Sequence, residues 1–442
     1  MGRNHHEQGT SMKTTKKQRL VGVDAARGIA LIGMIAIHVL PGFDENFQPT
    51  LVWTVLSGTS AGLFALLAGV SLTFSSGGMH PLAGPALTAA KASLAVRALV
   101  ILAIGLLIAY LNPPAAIILA YYGVLFLMAV PLLGFGPRVL AVAALGFAVL
   151  GPIFMQAVRD DLPDLGGFDP TFASLIIEPA ATISVLLVDG SFPAIPWMAY
   201  IAAGLALGRL DLRSHRMQLK MVCGGLGVAT GAWLASEILL GPLGGRARLL
   251  EATPWLDSEG ISDLLIWGPD PTLPTSSWWW LAVLSPYSST PLELLNTIGI
   301  AVAVLGAMLI LGNKAASALM PLAVMGGMTL TLYAGHLILL STGFLLDRPG
   351  VCLAIHLVVA AVLAIIWRNV TGGKQGPLER LVTGLAEHAR QRVLGKALSA
   401  ENTPLGPSAA SGSRTEAGPQ SRRADGKPAS TSTEFHRGAQ QQ

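Results

Sequence analysis

Charge is what this sequence lacks. Of its 442 residues only 12% are Asp, Glu, Lys or Arg, about half the fraction carried by ordinary soluble domains. So few charges cannot cover the surface of a soluble enzyme of this length, and coiled coils and disordered scaffolds need more charge still. There are two cysteines, Cys223 and Cys352, both inside apolar stretches, which excludes a disulfide framework and a thiolate metal site. The sequence pI of 9.1 is accompanied by no basic stripe of the kind that tracks nucleic acid. What is abundant is apolar: 52% hydrophobic residues and a mean hydropathy of +0.59. The composition is that of a polytopic membrane protein, and its excess Lys and Arg reads as a topology signal.

A span needs about 20 mostly apolar residues. Ten are predicted, at 21–41, 59–75, 91–111, 115–135, 138–158, 193–209, 219–240, 291–312, 320–345 and 351–367, making an all-α membrane bundle. The stretch 172–189 is apolar but interrupted by Glu178, Pro179 and Asp189; it reads as a half-buried segment, with an eleventh span as the alternative. With the N-terminus cytoplasmic, Lys91, Arg138, Arg209, Arg213, Arg216, Lys220, Lys314, Arg368, Lys374 and Arg380 fall inside and only Arg159, Arg246, Arg248 and Arg348 outside. That asymmetry is the positive-inside pattern with both ends cytoplasmic. The domain reading is a basic segment 1–19, a membrane domain 20–385, an amphipathic extension 386–400, and a tail 401–442 too poor in large apolar residues to repay ordering. Trp278, Trp279 and Trp280, in the longest outer loop, suit an interfacial aromatic belt. Gly204 with Gly208 and Gly227 with Gly231 have the spacing that lets helix backbones approach. No internal repeat of the transporter kind is evident.

Ionisable groups at membrane depth are costly, which makes each a functional candidate. Asp24 and Arg27 lie three apart on the first helix and can pair on one face. His38 lies eleven residues beyond Arg27, about three turns and roughly 16 Å along the axis, on the same face. His336 and His356 fall at similar depth on two later spans, and Tyr333 is one turn from His336, placed to donate a hydrogen bond on the same face. Neutral imidazole suits general-base work or a proton relay. Three histidines are also metal-ligand types, but no carboxylate lies at their depth, so no metal is expected.

Asp24-x-x-Arg27-Gly28, the step to His38 and the run Leu63-Phe64-Ala-Leu-Leu-Ala-Gly69 resemble the transmembrane acyltransferase superfamily, which includes heparan-alpha-glucosaminide N-acetyltransferase and the YeiB-like bacterial membrane proteins. The stretches around Asp189–Pro193, Pro196-Trp197 to Gly204, Met328 to His336 and Gly376 to Arg380 resemble, in order, later parts of the bacterial members. The resemblance implies a cytoplasmic acyl-CoA donor, acetyl-CoA first among them, and transfer to a hydroxyl or amine of a cell-envelope glycan or lipid-linked sugar. A bacterial inner membrane and a homo-oligomer are in keeping with it. It implies that Arg27 positions the donor or its thioester oxygen, that Asp24 orients Arg27, and that His38 is the base, with His336 and Tyr333 assisting. His356, Trp197 and Tyr287 are the further candidates for binding substrate. The heparan-type enzyme carries its active histidine in the loop after this first helix; here 42–58 contains none, so His38 takes the nomination. Tyr287 stands where many bacterial relatives have histidine. Two other readings compete: a proton-coupled transporter or flippase in which the histidines relay protons, and a non-catalytic subunit of an envelope-assembly complex.

The charge pattern predicts that a reporter fused after Arg380 is active only on the cytoplasmic side; activity on the outer side overturns the topology.

Overall fold

The structure is a computed structural model that describes residues 20–269, 272–372 and 375–401. The basic segment 1–19 and, apart from Glu401, the tail 401–442 lie outside the described residues. Seventeen α-helices follow one another: α1 Val21–Val39, α2 Leu51–Leu56, α3 Thr59–Ser75, α4 Gly84–Ile108, α5 Ile118–Ala129, α6 Pro137–Val158, α7 Phe172–Ile177, α8 Pro179–Ser184, α9 Ala194–Gly208, α10 His215–Leu240, α11 Gly245–Ala252, α12 Ser258–Trp267, α13 Pro291–Lys314, α14 Met320–Gly326, α15 Thr329–Ser341, α16 Pro349–Thr371 and α17 Pro377–Glu401. Among the described residues no strand forms beyond an isolated bridge between Phe43 and Pro49.

Among the described residues seven helices are long and apolar enough to cross a membrane, or nine if each of two bent pairs counts as one span. The expectation was ten, and prolines and glycines explain the difference. The apolar stretch 115–135 is helical only from Ile118 to Ala129 and then tightens into a 3₁₀ turn, Val130–Gly134, that contains Pro131. The stretch 320–345 is broken between α14 and α15, which meet at 79°. The segment 172–189 breaks at Glu178, held at φ −128° and ψ 61° before Pro179; a residue preceding proline is driven out of the helical region. It continues as α8 and a π-helical turn, Val185–Asp189, bent 49° from α9.

α1 is the axis of the bundle. It packs against α3, α13 and α14 and buries most of its residues. The helices around it approach closely because glycines stand at the crossings. A Cβ on Gly69 or Gly204 would strike the facing backbone of α9 or α3, at 2.3 Å from the Ile201 carbonyl oxygen and 2.0 Å from that of Leu66. On α10 the contact glycine is Gly225, which meets Gly299 and Ala303 of α13; Gly227 and Gly231 face open space. The spacing expectation therefore fails for that second pair: the periodicity marks a glycine face, and neighbouring Gly225 lies on the face that packs. Large apolar side chains point outward instead, as at Val142, Leu150 and Val358, where lipid is the natural solvent.

Two other expectations change. Arg209, counted as an inner-loop charge, is buried, and its guanidinium donates to the carbonyls of Ser76, Gly78 and Leu133 at 3.2, 2.6 and 2.5 Å. It ties the ends of α3 and the α5 segment to α9. The tryptophan run is not a uniform belt. Trp278 is exposed, whereas Trp280 is fully buried in a small core with Leu249, Ile261, Leu273 and Val283, so this outer segment folds around one of its own rings.

Gly204→Val is expected to destabilise the protein by about 1–3 kcal/mol or more through overpacking, read as a lower melting temperature or loss of the monodisperse peak in detergent. Gly227→Val is expected to leave both unchanged. A destabilised Gly227→Val would mean that this face packs against something after all.

Candidate functional site

The contact of α1 with α14 and α15 brings the candidates together. His38, near the end of α1, has its Nδ1 3.1 Å from Nε2 of His336 on α15, and the two rings stack at 5.4 Å between centroids. One hydrogen lies between those two nitrogens. When His38 is the donor, its Nε2 keeps a lone pair free for another proton. His336 is buried and its Nδ1 has no hydrogen-bond partner. Behind it, His356 of α16 packs edge-on at 4.9 Å. The Nδ1 of His356 donates to the Cys352 carbonyl at 2.8 Å, leaving Nε2 as the bare nitrogen, also buried without a partner. Among the described residues no group of three or more His, Cys, Asp or Glu is arranged to hold a metal ion.

Tyr333 lies 6.4 Å from both His38 and His336, measured between ring centroids. The expected hydrogen bond to His336 is not made: the Tyr333 hydroxyl meets the Ile118 backbone instead, since a helical side chain leans toward the N-terminus, away from a residue three positions later.

Two cavities flank this cluster. The larger, about 250 Å³, is lined by His38, Trp53, Arg159, Phe192, Tyr287 and Ser288 among others. Tyr287 sits at φ +59°, a left-handed conformation rare for an aromatic residue, and burial pushes its phenol pKa up. Trp197 does not line the cavity. It is buried behind Phe192, 5.1 Å between rings, and donates from Nε1 to Ser289 Oγ at 3.1 Å, which supports the wall that Ser289 forms. His356 likewise stands behind His336 rather than at a surface. The second cavity, about 100 Å³, is lined by Arg27, Ser71, Arg97, Tyr122, Tyr333 and Glu379 among others. Arg27 Nη1 is 4.0 Å from Asp24 Oδ1, and its Nη2 donates to Ser71 Oγ. Asp24 is buried. Tyr333 is thus part of the Arg27 cavity and a ring away from His38.

Sequence reasoning passes over several of these groups. Arg97 interrupts the apolar run of α4 and was open to the same rule that singles out Arg27, but no neighbour in sequence pairs with it. Arg159 lies 3.0 Å from Asp189 and donates to the Leu273 carbonyl at 2.9 Å, closing one side of the His38 cavity. Glu293, buried at the start of α13, accepts from Thr297 Oγ1 and Tyr200 Oη at 2.9 and 3.3 Å.

These features define a class: a multi-pass helical membrane protein with a buried histidine pair at one end of a helix face and an arginine-lined cavity at the other. The model of the heparan-alpha-glucosaminide N-acetyltransferase catalytic family matches residues 19–235. By that match, this part of the chain, from α1 into α10, is similar to that acyltransferase family. Asp24, Arg27, His38, Arg97 and Trp197 fall within the match; Tyr287, Tyr333, His336 and His356 lie beyond it. No curated protein matches the chain.

Asp24→Asn and Arg27→Gln are each expected to lower both activity and the yield of folded protein, because removing one partner leaves the other charge poorly compensated, at about 3–5 kcal/mol when fully buried. Asp24→Asn/Arg27→Gln should recover yield without activity. Normal activity in both single variants would reduce the pair to packing.

Proposed function

We propose that the protein is an integral-membrane acyltransferase of a bacterial inner membrane. It moves an acyl group, acetyl in the simplest case, from cytoplasmic acyl-CoA to a hydroxyl or amine of a cell-envelope glycan or lipid-linked sugar. The observation that carries the reading is the position of His38: it lines the larger cavity, is held by His336, and is one aromatic ring away from the cavity on which Arg27 opens. A donor entering at Arg27 and an acceptor entering beside Tyr287 and Trp53 meet at the imidazole.

Arg27 lies roughly 16 Å from His38 along α1. The group it binds is therefore the charged end of the donor and not the reacting carbonyl, and the donor must bring its acyl group forward on a long, narrow arm. A coenzyme A thioester has that shape; a small acyl phosphate does not. In the reaction His38 Nε2 takes the proton of the acceptor O–H or N–H as the oxygen or nitrogen attacks the thioester carbon. The carbon–sulfur bond breaks, and the proton returns to the departing thiolate. His336 fixes the His38 tautomer by accepting from Nδ1, the part an orienting group plays for a histidine base. Asp24 holds Arg27, and His356 packs behind His336. The aromatic lining of the larger cavity, with Trp197 buttressing Phe192 and Ser289, suits the apolar faces of a sugar.

The competing transporter reading uses the same histidines as a proton relay, and one experiment separates the two. Purified protein is incubated with radiolabelled acetyl-CoA and a crude envelope-glycan acceptor. Wild type is expected to transfer label, and His38→Ala to lower turnover by about 10²–10⁴-fold with acyl-CoA binding nearly intact. Transfer that survives in His38→Ala sinks the assignment of the base. Absence of transfer by wild type across several donors and acceptors, with pH-dependent flux in vesicles, favours the transporter.

A further inference from the structure

The Arg27 cavity contains donors that nothing in the protein satisfies. Arg97 extends from α4 into it with its guanidinium over the Phe126 ring, 5.9 Å from the centroid, and its Nε is buried without a hydrogen-bond partner. The Tyr122 hydroxyl, from α5, lines the same cavity and is also buried without a partner. Arg27, the second guanidinium, is bound on one side by Ser71 and Asp24. The carboxylate that lines this cavity belongs to Glu379, and both of its oxygens are committed to the amino end of α15. Oε1 accepts from the Leu330 and Thr331 amides at 2.7 and 3.1 Å, and Oε2 from Thr331 Oγ1 at 2.5 Å. Arg97 thus faces a carboxylate both of whose oxygens are bonded elsewhere, while Arg27 has Asp24. Buried donors are ordinarily matched by acceptors, and a buried cation whose donors find none favours a bound anion.

We propose that Arg97 and Tyr122, with Arg27, form a seat for a phosphate ester oxygen, and that in the reaction this is the anionic end of the acyl donor. The second half of this statement rests on the acyltransferase reading; the seat itself does not. Arg97 supplies the fork of N–H donors that phosphate oxygens accept, Tyr122 adds an O–H, and Phe126 holds the guanidinium plane in place. Glu379 gives the empty seat a negative charge beside Arg97, and anchors α17 at its rim through α15. Arg97 is a positioning residue here: it fixes where the donor's charged end stops, and so how far the acyl arm reaches towards His38.

The experiment measures binding to the purified full chain, in detergent, of coenzyme A and of pantetheine, which has the same arm without phosphate. Wild type is compared with Arg97→Gln, Arg97→Lys and Tyr122→Phe. Coenzyme A binding is expected to weaken 10–100-fold in Arg97→Gln, on the order expected for loss of a charge-assisted hydrogen bond, and severalfold in Tyr122→Phe, with partial recovery in Arg97→Lys. Pantetheine binding is expected to be unchanged throughout. Arg97→Gln that binds coenzyme A like wild type, or that loses pantetheine by the same factor, overturns the seat. If Arg97→Gln does not fold, competition between pyrophosphate and coenzyme A on wild type decides, and absence of competition overturns the proposal. If wild type binds no coenzyme A, the acyltransferase reading fails separately. Pyrophosphate and phosphatidylglycerol vesicles are then the probes: binding of either that depends on Arg97 retains the seat and tells a free phosphate from a lipid headgroup, and binding of neither removes it.

Discussion

The approach of α1 to the break between α14 and α15 governs the site. A Cβ on Gly326 would lie 1.8 Å from the Asp24 carbonyl oxygen, and one on Gly28 would lie 2.3 Å from that of Leu322. Backbone therefore meets backbone where α1 crosses α14, and no side chain on Gly326 or Gly28 can hold the helices apart. α14 cannot continue along that line, and after Gly327 and Met328 the chain turns by 79° into α15. The turned helix delivers His336 to His38 and Tyr333 to the wall of the Arg27 cavity. A straight span over 320–345 would have passed α1 at a single level and could have offered one of these contacts but hardly both.

Breaking a helix inside a membrane protein exposes amide groups that lipid cannot satisfy. Here the freed amides of Leu330 and Thr331 are taken by Glu379, which brings the start of α17 to the cavity rim and makes Arg380 available to stack over Trp367 at 5.3 Å. The Glu379 carboxylate in turn lines the cavity that Arg97 and Arg27 share. The polar inventory at this level is consequently linked: the break requires Glu379, and Glu379 adds negative charge to a cavity that Arg97 shares with the Asp24-paired Arg27.

Much of α1 was readable because its logic is local. Asp24, Arg27 and His38 lie on one helix, and helical periodicity alone puts them on one face. The shared depth of His336 and His356 was readable too, from counting residues into each span. What spacing does not carry is direction across the bundle. Gly227 and Gly231 have the same interval as Gly204 and Gly208, yet only the second pair packs, because which face of α10 meets α13 is decided by the whole bundle. Tyr333 follows its helix correctly but spends its hydroxyl on Ile118, a residue more than 200 positions away. Arg97 has no local partner to announce it, and its significance lies in a cavity assembled from six other helices. Arg209 looked like solvent-exposed topology charge because its acceptors are backbone carbonyls, which leave no trace in side-chain patterns.

The two cavities differ in a way that bears on how a transfer reaction would be kept from becoming hydrolysis. The His38 cavity is the larger and carries serines, Tyr287 and Arg159; the Arg27 cavity is small, with two guanidiniums and Glu379 against aromatic and aliphatic walls. Tyr333 stands between them, its ring 6.4 Å from that of His38 and its hydroxyl against the start of α5. Under the acyltransferase reading the first space admits water with a polar acceptor, and the second is filled by the charged end of the donor. An activated acyl group held on the Arg27 side of Tyr333 would meet the base only when extended past that ring, into a space its acceptor already occupies. Under the acyltransferase reading, the ring of Tyr333 is then the element that orders the encounter, and the separation of donor charge from reacting carbon along α1 is what makes that order enforceable.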